Sequence, residues 1–331
     1  MKRTLIFKNK PVITATSTIA GPKESLGPIG KYIETRLDND KFNEKTFEKA
    51  ECKMLSYVID GVIKNSNRKR ESVNAILAGD LLNQIISSSY AARDFEIPYI
   101  GVYNACSTMS ETLAIGSVLI DGGYMENVVC ATGSHFATAE RQYRYPLELG
   151  SVRPPQSQWT VTGAGATMLS KNGVGPKITM ATFGRVVDFG ITDANNMGAA
   201  MAPAALDTLV AHFNENNLSP KDYDLIITGD LGVFGSKILK DLAWEKGFDI
   251  FEKHIDCGAL IYEPHEEEFQ GGSDAGCSAV VLNSYFMDKF KNKEINKVFF
   301  LATGALLSTV STQQGESIPC ISHGVVIENR G

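Results

Sequence analysis

The sequence predicts an α/β protein folded as a five-layer α/β/α/β/α sandwich made of two duplicated halves, with mixed, mainly parallel sheets. Three observations carry this. Residues 106–134 (CSTMSETLAIGSVLIDGGYMENVVCATGS) align without a gap on residues 277–305 (CSAVVLNSYFMDKFKNKEINKVFFLATGA), so Cys106 falls on Cys277 and the Ala-Thr-Gly at 131–133 on that at 302–304. NAILAGDLL at 74–82 is echoed by DLIITGDLG at 224–232. Short continuous apolar runs alternate with helical stretches throughout, which implies largely parallel sheets covered on both faces. The halves are expected at 1–172 and 173–331, with the join in KNGVGPKI (171–178) and one site at the pseudo-twofold seam.

Taken in order, 42–63 places Phe47, Ala50, Met54, Val58, Ile59 and Val62 at helical spacing and is an amphipathic helix. VNAILAG (73–79) and IPYIGVYN (97–104) are apolar, β-rich and too short for helices. A helix over about 107–120 leads to the strand NVVCATG (127–133), and the alternating QWTVTGAGATMLS (158–170) ends the half. The second half repeats the order: a strand at 178–189, a helix near 199–215, a strand at 224–230 and a helix near 235–246. An apolar segment at 257–262, a helix at 277–290 and strands at 297–304 and 323–329 complete it.

A net charge of −6 without a basic run excludes an electrostatic footprint for nucleic acid. The longest apolar stretch, VFFLATGALL (298–307), is half of the roughly twenty residues a bilayer requires, so a soluble protein is expected. The six cysteines include no C-x-x-C pair, and Cys257 and Cys277 are far apart; neither a disulfide framework nor a zinc site is expected.

Cys106 stands where a strand turns into a helix, over the positive end of the helix dipole, a place that favours a thiolate nucleophile. A buried, inert thiol is the competing reading, and Cys277 is its structural counterpart in the other half. His135 follows the Ala-Thr-Gly-Ser strand end, on the carboxyl edge where parallel sheets place their sites. His323 precedes the last strand. His212, His254 and His265 lie in polar sequence and read as surface residues. Asp80 and Asp230 share the Gly-Asp-Leu position of the two halves and read as caps of the loops that follow. The Gly-rich runs at 162–167 and 271–276 lack phosphate-loop spacing.

This duplicated architecture with its Cys-led helix resembles the thiolase superfamily of thiolases and ketoacyl synthases over the whole chain. AGPKESLGP (20–28), LAGDLLNQ (77–84), NACSTMSETLAIGS (104–117), ATAERQYRYP (137–146), FGITDANNMGAAMAPAALDT (189–208) and ATGALLS (302–308) resemble one branch of it, the stage V sporulation AD proteins of spore-forming bacteria. The resemblance implies binding of dipicolinic acid (pyridine-2,6-dicarboxylate), free or as its calcium chelate, for delivery into the developing spore. It also implies a homodimer at the cytoplasmic side of the spore's inner membrane, peripherally associated with the membrane proteins of the dipicolinate channel.

Against the superfamily's catalytic pattern the chain has gaps. Thiolases place a Gly-His-Pro loop where this sequence reads GGSDAG (271–276), and a second Cys in or near ATGALLS, where there is none. Ketoacyl synthases take a His from the loop that here reads TGDLGVFG (228–235). A positioned base is worth about 10²–10⁴ in rate, so a retained scaffold without catalysis is expected, with no cofactor and no metal. A Cys106-dependent acyltransferase or condensing enzyme is the alternative, and a scaffold for membrane partners a third. A flat dicarboxylate needs donors at both ends and an apolar slot. The expected ligand-binding set is Cys106, Ser107, Thr132, Ser134, His135, Arg141, Arg144, Gly304 and His323. Arg141 and Arg144, with Tyr143 and Tyr145 between them, would supply the forks, unless they balance Glu140 and Glu148 or line a dimer contact. The N–H groups of Ser107 and Thr108 offer a second anion anchor.

Overall fold

The two sequence echoes are two copies of one chain path. The structure, a computed structural model, describes residues 2–143, 147, 150, 152–263 and 270–329. In the first half the order is strand Val12–Ala20, helix Phe47–Asn65, strand Ala75–Gly79, helix Ile86–Arg93, strand Tyr99–Gly101, helix Thr108–Asp121 and strands Asn127–Ser134 and Gly163–Ser170. The second half repeats it with strand Lys177–Thr182, helix Met197–Asn216, strand Leu225–Thr228, helix Gly232–Glu245, strand His254–Asp256, a helix from Ala275 to Lys291 and strands Lys297–Ala305 and Cys320–Glu328. The Ala275–Val281 helix passes through a π turn at Leu282–Phe286 before resuming at Met287–Lys291.

Each half carries the same mixed run of five strands, three parallel and then two that add antiparallel to their neighbours, with the short strands Thr4–Ile6 and Thr35–Arg36 added on Lys177–Thr182 and Val12–Ala20. The sheets meet edge to edge through a single pairing, Val12 opposite Lys177. Helices Thr108–Asp121 and Ala275–Val281 pack between the sheets; Phe47–Asn65 covers the outer face of the first and Met197–Asn216 that of the second. These are the five layers.

Local sequence explains the elements. Thr46 caps the Phe47–Asn65 helix by accepting from the Lys49 N–H at 3.3 Å. That helix buries Met54, Leu55, Val58, Ile59 and Val62, each worth about 1.5–3 kcal/mol before entropy. Asn127–Ser134 is buried at every position, as its unbroken apolar run requires. The strand Val12–Ala20 was not foreseen, although VITATSTIA has a strand's β-branched composition. The apolar segment at 257–262 forms the helix Cys257–Ile261, which directly follows the short strand His254–Asp256 and where Asp256 caps the Ala259 N–H.

Among the described residues no helix is long and apolar enough to cross a membrane.

Candidate functional site at Cys106

Cys106 lies in the 3₁₀ turn Ala105–Ser107 that opens the Thr108–Asp121 helix, at the seam between the halves, and is 6% exposed. Its Sγ is 3.5 Å from Asp274 Oδ1, and Asp230 also hydrogen-bonds it. Asp230 is fully buried and accepts from the Thr303 hydroxyl at 3.0 Å and from the Asp274 N–H at 3.0 Å. Burial raises its pKa to about 8, so it is largely protonated at neutral pH. Burial, and then the two aspartates, push the Cys106 thiol well above its ordinary value. Burial and the two aspartates thus outweigh the helix dipole, and the thiolate is disfavoured.

Backbone strain is held on both sides of the thiol. Ala105 has φ +49°, and Asp274 has φ +82° with ψ 173°, a region otherwise left to glycine. Beside Cys106 the protein encloses about 40 Å³ of free volume, room for about three waters. Its wall is mostly apolar, with Tyr103, Tyr143, Met197 and Met201 prominent, and Asp274 is the one ionisable carboxyl in it among the described residues.

The structure brings Ser107, Gly304 and His323 together behind this turn. The Ser107 hydroxyl donates to the Ala302 carbonyl at 2.8 Å and accepts from the His323 N–H at 3.2 Å. A Cβ on Gly304 would meet the Asn104 carbonyl oxygen at 2.1 Å, so glycine permits the strand end to touch the Cys106 turn. His323 Nδ1 accepts from the Gly184 N–H at 3.1 Å, which leaves the ring proton on Nε2. The Asn104 side chain, 3.1 Å from Nε2, must therefore present its amide oxygen. Burial lowers the His323 pKa to about 4. It is a neutral strut.

The other expected ligand residues lie elsewhere. His135 is buried; its Nε2–H donates to the Asp40 carbonyl at 2.8 Å and its Nδ1 accepts from the Ala137 N–H at 3.1 Å. It starts the Phe136–Tyr143 helix and takes no part in the Cys106 wall. Thr132 donates across the sheet to the Gly79 carbonyl at 2.7 Å. Ser134 donates to the Val161 carbonyl at 2.7 Å and accepts from the Gly276 N–H at 3.0 Å, tying the halves together. Arg141 is half-exposed and ion-paired with Glu48. Glu140 pairs with Arg153 at 3.0 Å, and the Arg153 guanidinium lies 5.1 Å from the Trp159 ring centre. Arg144, Tyr145, Glu148 and His265 lie outside the described residues.

Three assignments made from sequence require correction. His212 is not a surface residue: it is fully buried, stacked on Phe299 at 4.0 Å, with Nδ1 2.8 Å from the Thr182 hydroxyl and Nε2 2.6 Å from the Tyr223 hydroxyl. His254 is buried against Thr228 Oγ1 at 2.8 Å. Polar neighbours in sequence misled both assignments: His212 lies on the buried face of its helix, and His254 opens the strand His254–Asp256 at a buried position. Asp80 caps its loop, accepting from Leu82 N, Ser88 N and Ser88 Oγ. Asp230 does not: Asp256 holds Leu231 N and Gly232 N, which frees Asp230 to face Cys106. A His212→Phe substitution should cost about 2 kcal/mol in urea unfolding, since it leaves the buried Tyr223 hydroxyl unpaired and the Thr182 hydroxyl with Thr4 alone; an unchanged midpoint would refute this role.

Comparison with known proteins agrees with this architecture. The chain is similar to 3-oxoacyl-[acyl-carrier-protein] synthase III of Aquifex aeolicus VF5 (13% identity, TM-score 0.60, 96% of this chain and 99% of that one). It is also similar to human mitochondrial 3-ketoacyl-CoA thiolase in complex with CoA (12%, TM-score 0.61, 98% and 100%) and to cerulenin-bound OleA of Xanthomonas campestris (12%, TM-score 0.63, 98% of each). At such identities the likeness establishes the thiolase-like fold. Stage V sporulation protein AD of Bacillus subtilis (strain 168) is 45% identical over 330 residues, 100% of this chain and 98% of that protein. The profile of the family described as Stage V sporulation protein AD (SpoVAD) matches residues 1–328. The chain belongs to the stage V sporulation protein AD family.

Proposed function

We propose that this sporulation protein is a non-catalytic binder of dipicolinic acid that serves its uptake into the developing spore. In this reading it acts as a homodimer on the cytoplasmic side of the spore's inner membrane, beside the membrane proteins of the channel. The observation that carries the non-catalytic part is the environment of Cys106: burial, and then two carboxyl groups, raise its pKa, and no imidazole lines its cavity among the described residues. A condensing enzyme needs the opposite, a thiol lowered by a cation or base. Mostly apolar walls that include two tyrosine rings suit a small aromatic ligand. Among the described residues no Lys or Arg lines those walls, which favours a ligand whose charge is already cancelled, as in the 1:1 calcium chelate.

Isothermal titration of the full chain with dipicolinate, with and without calcium, tests this beside acetyl-CoA and malonyl-CoA. Saturable heat from dipicolinate alone is expected, with no mass gain on Cys106 from either thioester. Acylated Cys106 would replace the binder with an acyltransferase, and silence from every ligand would leave a scaffold. Sedimentation of the same sample checks the dimer.

A further inference from the structure

The helix Gly232–Glu245, the strand His254–Asp256 and the helix Cys257–Ile261 bound an open recess of about 390 Å³ at the outermost strand of the second sheet. It shares no residue with the wall of the Cys106 cavity. Lys237 and Lys240 line it from the long helix, and neither is ion-paired among the described residues. Beside them, Ser236 is 9% exposed and its hydroxyl has no hydrogen-bond partner. A serine inside a helix ordinarily turns its hydroxyl back to the carbonyl four residues earlier. Ser236 does not, and a buried, unpaired hydroxyl is destabilising and seldom retained.

His254 supplies the opposite polarity. The Thr228 hydroxyl donates to Asp256 Oδ2 at 2.7 Å, so it must accept from His254 Nε2–H at 2.8 Å. Nδ1 is left as a bare acceptor, without a partner among the described residues. Burial, and then the charge of Lys240, lower the His254 pKa to about 3, so the ring is neutral. Asp256 is the only carboxyl in the lining among the described residues. Its two oxygens are taken by the N–H groups of Leu231, Gly232 and Ala259 and by the Thr228 hydroxyl.

We propose that this recess is a second ligand site, which binds a protonated phosphate group through Ser236, Lys237, Lys240 and His254. Two ammonium groups and a hydroxyl donate to an oxyanion, while the imidazole nitrogen demands a donor in return. Phosphate meets both demands, because near neutral pH it carries a proton as well as charge. Sulfate and carboxylates carry charge without a proton, and would set an oxygen lone pair against Nδ1. Val233, Ile255 and Leu260 complete the wall with apolar surface, which suits the organic part of a phosphate monoester. That chemistry is common to a soluble ester and to a lipid headgroup.

Titration of the full chain at about pH 6.5, where a monoester is partly protonated, tests the site with inorganic phosphate and sulfate. Phosphate should saturate with a Kd of about 1 mM or below, and sulfate should bind at least about tenfold more weakly. Ser236→Ala and Lys240→Gln should each weaken phosphate about tenfold. Lys246→Gln, just beyond the same helix and outside the recess, should leave affinity unchanged. Ser236→Ala should also keep its urea midpoint, since it removes no hydrogen bond of the free protein. Glycerol 3-phosphate and phosphatidylcholine vesicles containing phosphatidic acid then separate the sources. Vesicle capture that is lost in Lys240→Gln would put the phosphate on a lipid. Binding of glycerol 3-phosphate without capture would put it on a soluble ester, and inorganic phosphate alone would leave the free ion; each supports the site. If none of the three binds, the site is overturned. Equal affinity for sulfate would overturn the role of His254. Unchanged phosphate affinity in both variants would show an adventitious ion only and overturn the placement.

Discussion

Stability should fall as pH rises from 6.5 to 8.5, by on the order of 3 kcal/mol across the interval. The buried carboxyls cause it. Burial raises Glu24 and Glu111 to about 7, Asp230 to about 8 and Asp256 to about 6, and also raises Glu51 and Asp80. A group whose folded pKa lies above its unfolded value binds more protons in the native state. Its stabilisation is complete below the unfolded pKa, near 4, and is lost as pH rises through the folded pKa. His212 and His254 act with the opposite sign. Burial lowers each to about 3, so the unfolded chain takes up protons below about 6.5, which offsets part of the gain from the carboxyls. Six raised carboxyls outnumber these two histidines, so stability should go on rising below pH 6.5, more slowly, and turn over only toward the unfolded carboxyl values near 4. Urea midpoints at intervals of half a pH unit test this. Glu24→Gln should flatten the alkaline limb by at most about 1.4 kcal/mol per unit, because its amide oxygen can still accept from Thr162 N and the Tyr262 hydroxyl. A midpoint that rises toward pH 8.5 would mean that these carboxyls are paired and charged in the fold.

Gly304→Ala should destabilise the protein by about 3 kcal/mol and loosen the Cys106 turn. The added methyl would lie 2.1 Å from the Asn104 carbonyl oxygen and 3.1 Å from Ser107 N, and both are backbone atoms that no rotamer change can clear. Relief requires the strand Lys297–Ala305 to move away from the turn Ala105–Ser107, breaking the Ser107 bond to Ala302. Thermal unfolding measures the first effect and faster alkylation of Cys106 the second. A variant of wild-type stability would show that the contact yields easily and that Gly304 has no role in setting the thiol's position.

The site was legible in sequence where chemistry follows chain position. Cys106 at a strand-to-helix turn and Gly304 in the repeated Ala-Thr-Gly could be placed by counting, and the structure sets them against each other. Partnerships formed across the seam could not be read this way. Asp274 enters the thiol's environment from a loop 168 residues away, and Asp230 is released toward Cys106 only because Asp256 takes over the cap that Asp230's own position suggested. His135 stands at the correct edge of the correct strand, yet its ring turns to the Asp40 carbonyl, a choice made by side-chain packing.

The sequence by itself determined the duplicated α/β architecture, since apolar runs and helical spacing are local signals that backbone hydrogen bonding and burial convert directly into strands and helices. It also determined the absence of the superfamily's histidines from their loops. Only the tertiary structure decided which groups surround the thiol, and that burial, with two aspartates beside it, raises its pKa. Those properties depend on distances between residues far apart in the chain and on the loss of water around them, and neither quantity is encoded at any single position.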